Sequence, residues 1–233
     1  MWVPTENPLT LKVLRNQILD EHDSPTVAWA IAPRIQMRKL LTLNKEGKLS
    51  LRAADGAEIE VQTKRRNVLL LIDTSGSMAG QKIEHAKSGA IDFAHSAISK
   101  TYATALAVFA DRAAMICDPT IDAAHFSNKI ARLNVGLVGG TTDLAAGLTL
   151  ANKFRELAAV VVVTDGQSND NDAALEVGAT LKTRAIDIIC IGTDDADNDF
   201  LKRLATRSDL ATHVHSKNLR SAITDASRFL PQG

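Results

Sequence analysis

The chain lacks most of the features that would tie it to a polyanion, a membrane or an oxidising compartment. Its 233 residues carry 27 basic and 27 acidic side chains, so no net charge draws it to nucleic acid or an anionic lipid surface. There are only two cysteines, Cys117 and Cys190, far apart and each inside an apolar run. Two such isolated residues make neither a disulfide scaffold nor a zinc pattern, and they read as buried, unreactive thiols. No stretch approaches the ~20 apolar residues of a membrane span. The start, MWVPTENPLTLKVLRNQ, has acid and proline early where a leader would place a basic cap and an apolar run. These absences predict a soluble, cytoplasmic protein with no nucleic-acid and no membrane partner. Two phosphate cradles are missing as well: no G-x-x-x-x-G-K-[ST] occurs, and no G-x-G-x-x-G follows a strand.

What is present is a 45% hydrophobic chain, enough for one globular domain and a small extra lobe. From residue 67 onward, short apolar runs alternate with longer amphipathic ones. Strands are expected at 67–73, 102–110, 113–117, 158–164, 186–192 and 212–215, and helices at 80–98, 122–132, 143–157, 172–184, 197–207 and 217–229. Runs such as LLLI and VVVV are apolar on both faces, as a parallel sheet covered by helices on each side requires. The fold class is therefore α/β: a doubly wound, Rossmann-like, mostly parallel sheet. Two runs separated only by Asp111 and Arg112 supply one hairpin and one antiparallel edge strand. Residues 1–66 read as a separate extension, a helix over 8–20 followed by a β-meander punctuated by NKEG and ADG turns. KRR at 64–66 forms the joint to the domain at 67–233 and reads as solvated surface. Trp2 and Trp29 read as packing anchors of the extension.

In an open parallel sheet, ligands bind beyond the carboxyl ends of the strands. Collecting the residues at those ends gives Asp73, Ser75 and Ser77 after the first strand and Asp165 after the fourth. A glycine turn, GGTTDLAAGL at 139–148, places Thr141, Thr142 and Asp143 at a helix start. Carboxylates and hydroxyls with no His or Cys suit a hard divalent ion such as Mg²⁺. Alternate residues of an extended turn point the same way, so Asp73, Ser75 and Ser77 can face one ion while Gly76 permits the tight path. Taken singly, each piece has a plainer explanation: Ser77 as a helix N-cap, Asp165-Gly166 as a turn, Thr142-Asp143 as another cap. The acidic loops, Asp170 and Asp172 with Asp194, Asp195, Asp197 and Asp199, read as solvated charge. His213 and His215 flank one residue in the last strand and make no metal site by themselves.

DTSGS, GGTT and TDG, in this order on this alternation, resemble the von Willebrand factor type A domain with a complete metal-ion-dependent adhesion site. The resemblance spans residues 67 to about 230. It implies direct ligation by Ser75 and Ser77, with Asp73 and Asp165 acting directly or through water. It also implies a threonine ligand, at Thr142 by register and at Thr141 as second choice.

The ion implied is Mg²⁺, with Mn²⁺ or Ca²⁺ as alternatives, and it is left seeking an anionic ligand. The expected function is thus a non-enzymatic one: metal-mediated binding of another protein's Asp or Glu. Similar intracellular bacterial domains work beside a separate AAA+ ATPase, a further partner the resemblance suggests. The alternative is a Mg²⁺-dependent phosphate-processing hydrolase. The haloacid-dehalogenase phosphatases also begin from a carboxylate after a first strand, but they need a second Asp two residues on, where this chain has Ser75.

Overall fold

The computed structural model describes residues 41–43, 49–52, 58–60 and 65–231, and the chain divides into two units between Thr63 and Lys64. In the first unit, β1 (Leu41–Leu43), β2 (Leu49–Arg52) and β3 (Glu58–Glu60) form an antiparallel meander, with Leu41 opposite Leu51 and Leu51 opposite Ile59. The helix expected over 8–20 and both tryptophans lie outside the described residues.

The second unit is built on strands β4 (Asn67–Asp73), β5 (Ala103–Phe109), β6 (Ala113–Thr120), β7 (Leu157–Thr164), β8 (Asp187–Thr193) and β9 (Ala211–Val214). They form one six-stranded sheet in the order β6-β5-β4-β7-β8-β9, parallel except for β6. The β5–β6 hairpin turns at Asp111 and Arg112, as the sequence implied. β6 runs on through Pro119 to Thr120, beyond the 113–117 expected. An edge strand tolerates a proline because its outer N–H groups have no ladder partner to lose.

Central strands β5 and β7 are buried along their whole length, and β4 everywhere after its first residue. That is why these runs carry Val, Leu, Ile and Ala without alternation, each large one contributing about 1.5–3 kcal/mol over exposure. Six helices cover the sheet: α1 (Gln81–Ser99), α2 (Ala123–Ala131), α3 (Leu144–Asn152), α4 (Asn171–Thr183), α5 (Asn198–Leu204) and α6 (Leu219–Ala226). α1 packs against α2 and α6 in one layer, and α4 against α3 and α5 in the other. Gly89 sets the closest approach of α1 and α6, since a Cβ there would stand 2.8 Å from the Arg220 carbonyl oxygen.

α3 ends at Asn152, not 157 as the sequence suggested, because the chain must turn into β7, where the Glu156 carbonyl accepts from the Asn67 amide at 2.9 Å. α5 and α6 are likewise shorter than the predicted 197–207 and 217–229, since 3-10 turns take over at Ser208–Leu210, Ser216–Asn218 and Ser227–Phe229. The chain winds from β4 out to β6 and then crosses back to β7 on the other side of β4. The topological switch therefore lies between the carboxyl ends of β4 and β7, the place where an open sheet splays to admit a ligand.

Candidate metal centre

β4 and β7 pair in parallel with Ile72 opposite Val163, which brings Asp73 level with Thr164 and sets Asp165 just beyond. Both carboxylates are buried, Asp73 fully and Asp165 to within 1%. Asp73 is held from two sides. Its Oδ1 accepts from the Ser75 amide at 2.8 Å, and its Oδ2 accepts from the Thr164 hydroxyl at 2.7 Å. Burial pushes its pKa above the ordinary 3.8, against the opposing pull of the Ser75 and Thr164 hydrogen bonds.

The extended turn after β4 brings its two serines together. The Ser75 and Ser77 hydroxyls lie 3.0 Å apart, and Ser77 Oγ donates to Asp165 Oδ1 at 2.7 Å. Ser77 is not a helix cap. It sits in a 3-10 turn, Gly76–Met78, and α1 begins only at Gln81, capped by Gly80 at φ 79° with no side-chain hydrogen bond.

The two threonines of GGTT separate cleanly. Thr141 is exposed, and its hydroxyl is engaged: it donates to Asp111 Oδ1 at 2.6 Å and accepts from the Asn169 amide nitrogen at 2.9 Å. Thr142 is 8% exposed, and among the described residues its hydroxyl makes no hydrogen bond. It faces the cluster across Gly166, where a Cβ would lie 3.5 Å from Thr142 Oγ1 and 3.9 Å from Ser77 Oγ. Of the two, Thr142 is thus the hydroxyl that remains available to a ligand. Asp143 caps α3 by accepting from Ala146 N at 2.9 Å.

Four residues that sequence reasoning passed over complete the site. Thr164 orients Asp73 as described. Asp111, in the β5–β6 turn, gathers the Gly140 amide at 3.1 Å, the Thr141 amide at 2.7 Å and the Thr141 hydroxyl on one oxygen. These bonds, the Thr141 hydroxyl first, hold its carboxyl below the ordinary range. Gly139 fits beneath at φ 123°, where a Cβ would collide with the Asp111 carboxylate. Asn169 ties down the same loop, its amide donating to the Thr142 carbonyl at 2.8 Å. Lys82, in the first turn of α1, sets its ammonium 2.5 Å from Asp165 Oδ2 and 3.1 Å from Asp194 Oδ2. Only Thr164 carried a sequence signal, as the hydroxyl directly before Asp165.

Of the other acidic-loop residues, three make folding contacts, while Asp172 and Asp195 are exposed. Asp170 caps α4 through Ala173 N at 2.9 Å, Asp197 caps α5 through Phe200 N at 3.0 Å, and Asp199 pairs with Lys202 at 3.6 Å. His215 falls after the end of β9, and His213 Nε2 lies 3.1 Å from the Asp194 carbonyl oxygen. Cys117 and Cys190 are buried free thiols, and burial pushes Cys190 up to about 12.

Among the described residues no group of three or more His, Cys, Asp or Glu side chains gathers as a metal-holding set. The cluster at β4 and β7 is of another kind, with hydroxyl oxygens supplementing two carboxylates. Such a set, with a Thr142 hydroxyl facing it that is unengaged among the described residues, fits an oxygen-seeking divalent cation.

The doubly wound sheet, parallel except for its β6 edge, defines an α/β fold of the von Willebrand factor type A kind. Residues 67–228 match the von Willebrand factor type A domain, and the chain belongs to that family. Similar folds include proximal thread matrix protein 1 from the mussel byssus, 18% identical over 70% of this chain and 45% of that one, with a TM-score of 0.62. The same mussel protein has a structure with a zinc-occupied MIDAS motif. Also similar are the vWF domain of the type V pili tip protein Mfa5 from Porphyromonas gingivalis (15% identity, 72% and 97% covered, TM-score 0.63) and manganese-loaded TRAP from Plasmodium vivax (19%, 68% and 72%, TM-score 0.57). This chain spans less than half the length of the mussel protein. No curated protein matches it.

Proposed function

We propose that the α/β unit is a divalent-metal-dependent protein-binding module whose ion is held by the Ser75, Ser77 and Thr142 hydroxyls, with Asp73 and Asp165 beside them. The observation that carries this is the run of short oxygen contacts, Ser75 to Ser77 to Asp165, facing a threonine hydroxyl that has no other engagement among the described residues. The ion supplies a Lewis-acidic position for an incoming carboxylate. The protein's own task is to hold that position rigid and only partly neutralised.

Asp73 fixes the turn through the Ser75 amide and Thr164 fixes Asp73. Asp111 and Asn169 fix the loop that presents Thr142. With three neutral hydroxyls in the donor set, the negative charge around the ion is limited, which favours an Asp or Glu from another protein as the remaining ligand. The finer parts of the reading, magnesium as the ion, an intracellular bacterial setting and a separate AAA+ ATPase among the partners, are supported by the sequence resemblance alone.

The test is a pull-down from the native host in Mg²⁺ and in EDTA, read by mass spectrometry and paired with Mn²⁺ titration calorimetry. Partners are expected to be lost in EDTA and restored by Mg²⁺ or Mn²⁺. Asp73→Ala should lose both the partners and the calorimetric heat while keeping its far-UV circular dichroism. A partner set indifferent to chelation would overturn the reading.

A further inference from the structure

Lys82 has an unusual position for a cation. Its ammonium sits against Asp165 Oδ2 at 2.5 Å, while Asp165 Oδ1 takes the Ser77 hydroxyl at 2.7 Å. Both oxygens of one of the two buried carboxylates are therefore engaged, one of them by a full positive charge. A divalent ion on the same carboxylate would meet that ammonium within a few ångströms, in surroundings where like charges repel strongly. Taking Lys82 away with no ion present would instead leave Asp165 and Asp73 buried together without a counter-charge, which is costly.

The side chain has a second seat. Asp194, in the loop after β8, lies 3.1 Å from the ammonium with 27% of its side chain exposed. It is fixed independently: its backbone is in the left-handed region at φ 51°, its Oδ1 accepts from the Ser216 amide at 3.3 Å, and its carbonyl oxygen lies 3.1 Å from His213 Nε2. Lysine suits movement between two such acceptors, since its charge is compact and its stem flexible, where arginine would clamp both carboxylates with a planar fork.

We propose that Lys82 is the resident counter-cation of the metal centre, neutralising Asp165 when no divalent ion is bound and withdrawing to Asp194 when one arrives. The proposal rests on the metal reading above and adds to it. Metal affinity is set by competition with an internal ammonium as well as by the donor oxygens, and the loop after β8 is drawn into metal binding through Asp194.

The experiment uses the full chain stripped with EDTA, as wild type, Lys82→Met and Asp194→Asn, with Mn²⁺ titrated calorimetrically and thermal melts recorded in EDTA and in saturating Mn²⁺. Lys82→Met keeps the length of the stem and removes the competitor. It is expected to bind Mn²⁺ about tenfold tighter or more and to melt below wild type in EDTA, with the gap closing in Mn²⁺. Asp194→Asn removes the second seat and suits the left-handed backbone; it is expected to bind Mn²⁺ more weakly than wild type. Mn²⁺ binding by Lys82→Met alone would also support the proposal, with the ammonium as a complete block. Equal or weaker binding by Lys82→Met, or unchanged affinity in Asp194→Asn, overturns the counter-cation role and leaves the metal reading standing. No Mn²⁺ heat from any of the three proteins overturns both.

Discussion

Thr164→Val tests whether the carboxylate at the heart of the site depends on a neighbour that was never expected to touch the ion. The substitution keeps the shape of the side chain and removes one hydroxyl. That hydroxyl donates to Asp73 Oδ2 at 2.7 Å and accepts from the Gly166 amide at 3.3 Å, inside a residue that is 2% exposed. Asp73 is wholly buried, so water cannot replace the lost donor. A hydrogen bond to a charged group is worth about 1.5–3 kcal/mol, and the orphaned Gly166 amide adds to the loss, giving an expected destabilisation of about 2–3 kcal/mol.

For a unit of this size that corresponds to a melting temperature lower by roughly 5–10 °C. Urea unfolding in EDTA, followed by far-UV circular dichroism, measures it, with the m-value expected to stay constant. The control is Thr104→Val in β5, also fully buried, whose hydroxyl has no hydrogen-bond partner among the described residues. There the same chemical change removes an unsatisfied polar atom and is expected to be neutral or stabilising. A Thr164→Val protein within about 0.5 kcal/mol of wild type, or a Thr104→Val protein equally damaged, would refute the assignment of that hydroxyl to Asp73.

Two further outcomes concern the framework around the site. Gly89→Ala gains helix propensity of about 1 kcal/mol, but its Cβ would lie 2.8 Å from the Arg220 carbonyl oxygen and 2.9 Å from Ile223 Cβ, so α6 must shift and a net loss of about 1–2 kcal/mol is expected. An urea midpoint at or above that of wild type would show that α1 and α6 are not packed so closely. Burial pushes the Cys190 thiol up from 9.0 to about 12, so it stays neutral in the folded protein while the unfolded chain ionises. Its contribution to stability is complete below pH 9 and is lost as the pH climbs from 9 toward 12, with a slope of about 1.4 kcal/mol per pH unit. The difference between wild type and Cys190→Ala in urea titrations isolates this slope. A difference that stays flat from pH 9 to 11 would contradict a buried neutral thiol.

Much of the architecture was legible because it is written locally. Doubly apolar runs such as VVVV, short and bounded by turn signals, read as central strands, and the short Asp111-Arg112 link reads as a hairpin; both follow from length and flanking residues. Helix ends were less legible. Residues 153–156 continue the composition of α3 but are needed to turn the chain into β7, a demand set by the neighbouring strand β4.

At the site, the sequence set the chemical type: carboxylates and hydroxyls at strand ends, free of His and Cys, suit a hard cation once the fold brings them together. It fixed as well the alternation that points Ser75 and Ser77 the same way. Whether those pieces were caps or a cluster was decided only in three dimensions. Ser77 reaches Asp165 across 88 positions of sequence and caps nothing. Thr141 is taken by Asp111 and Asn169, which leaves Thr142 facing the cluster. Lys82 arrives from a helix whose local pattern says nothing of Asp165 or Asp194. The reason is physical: residue type and spacing determine which atoms can bind, but a site made from the ends of β4 and β7, a hairpin turn and a helix exists only once the parallel sheet has brought those ends together.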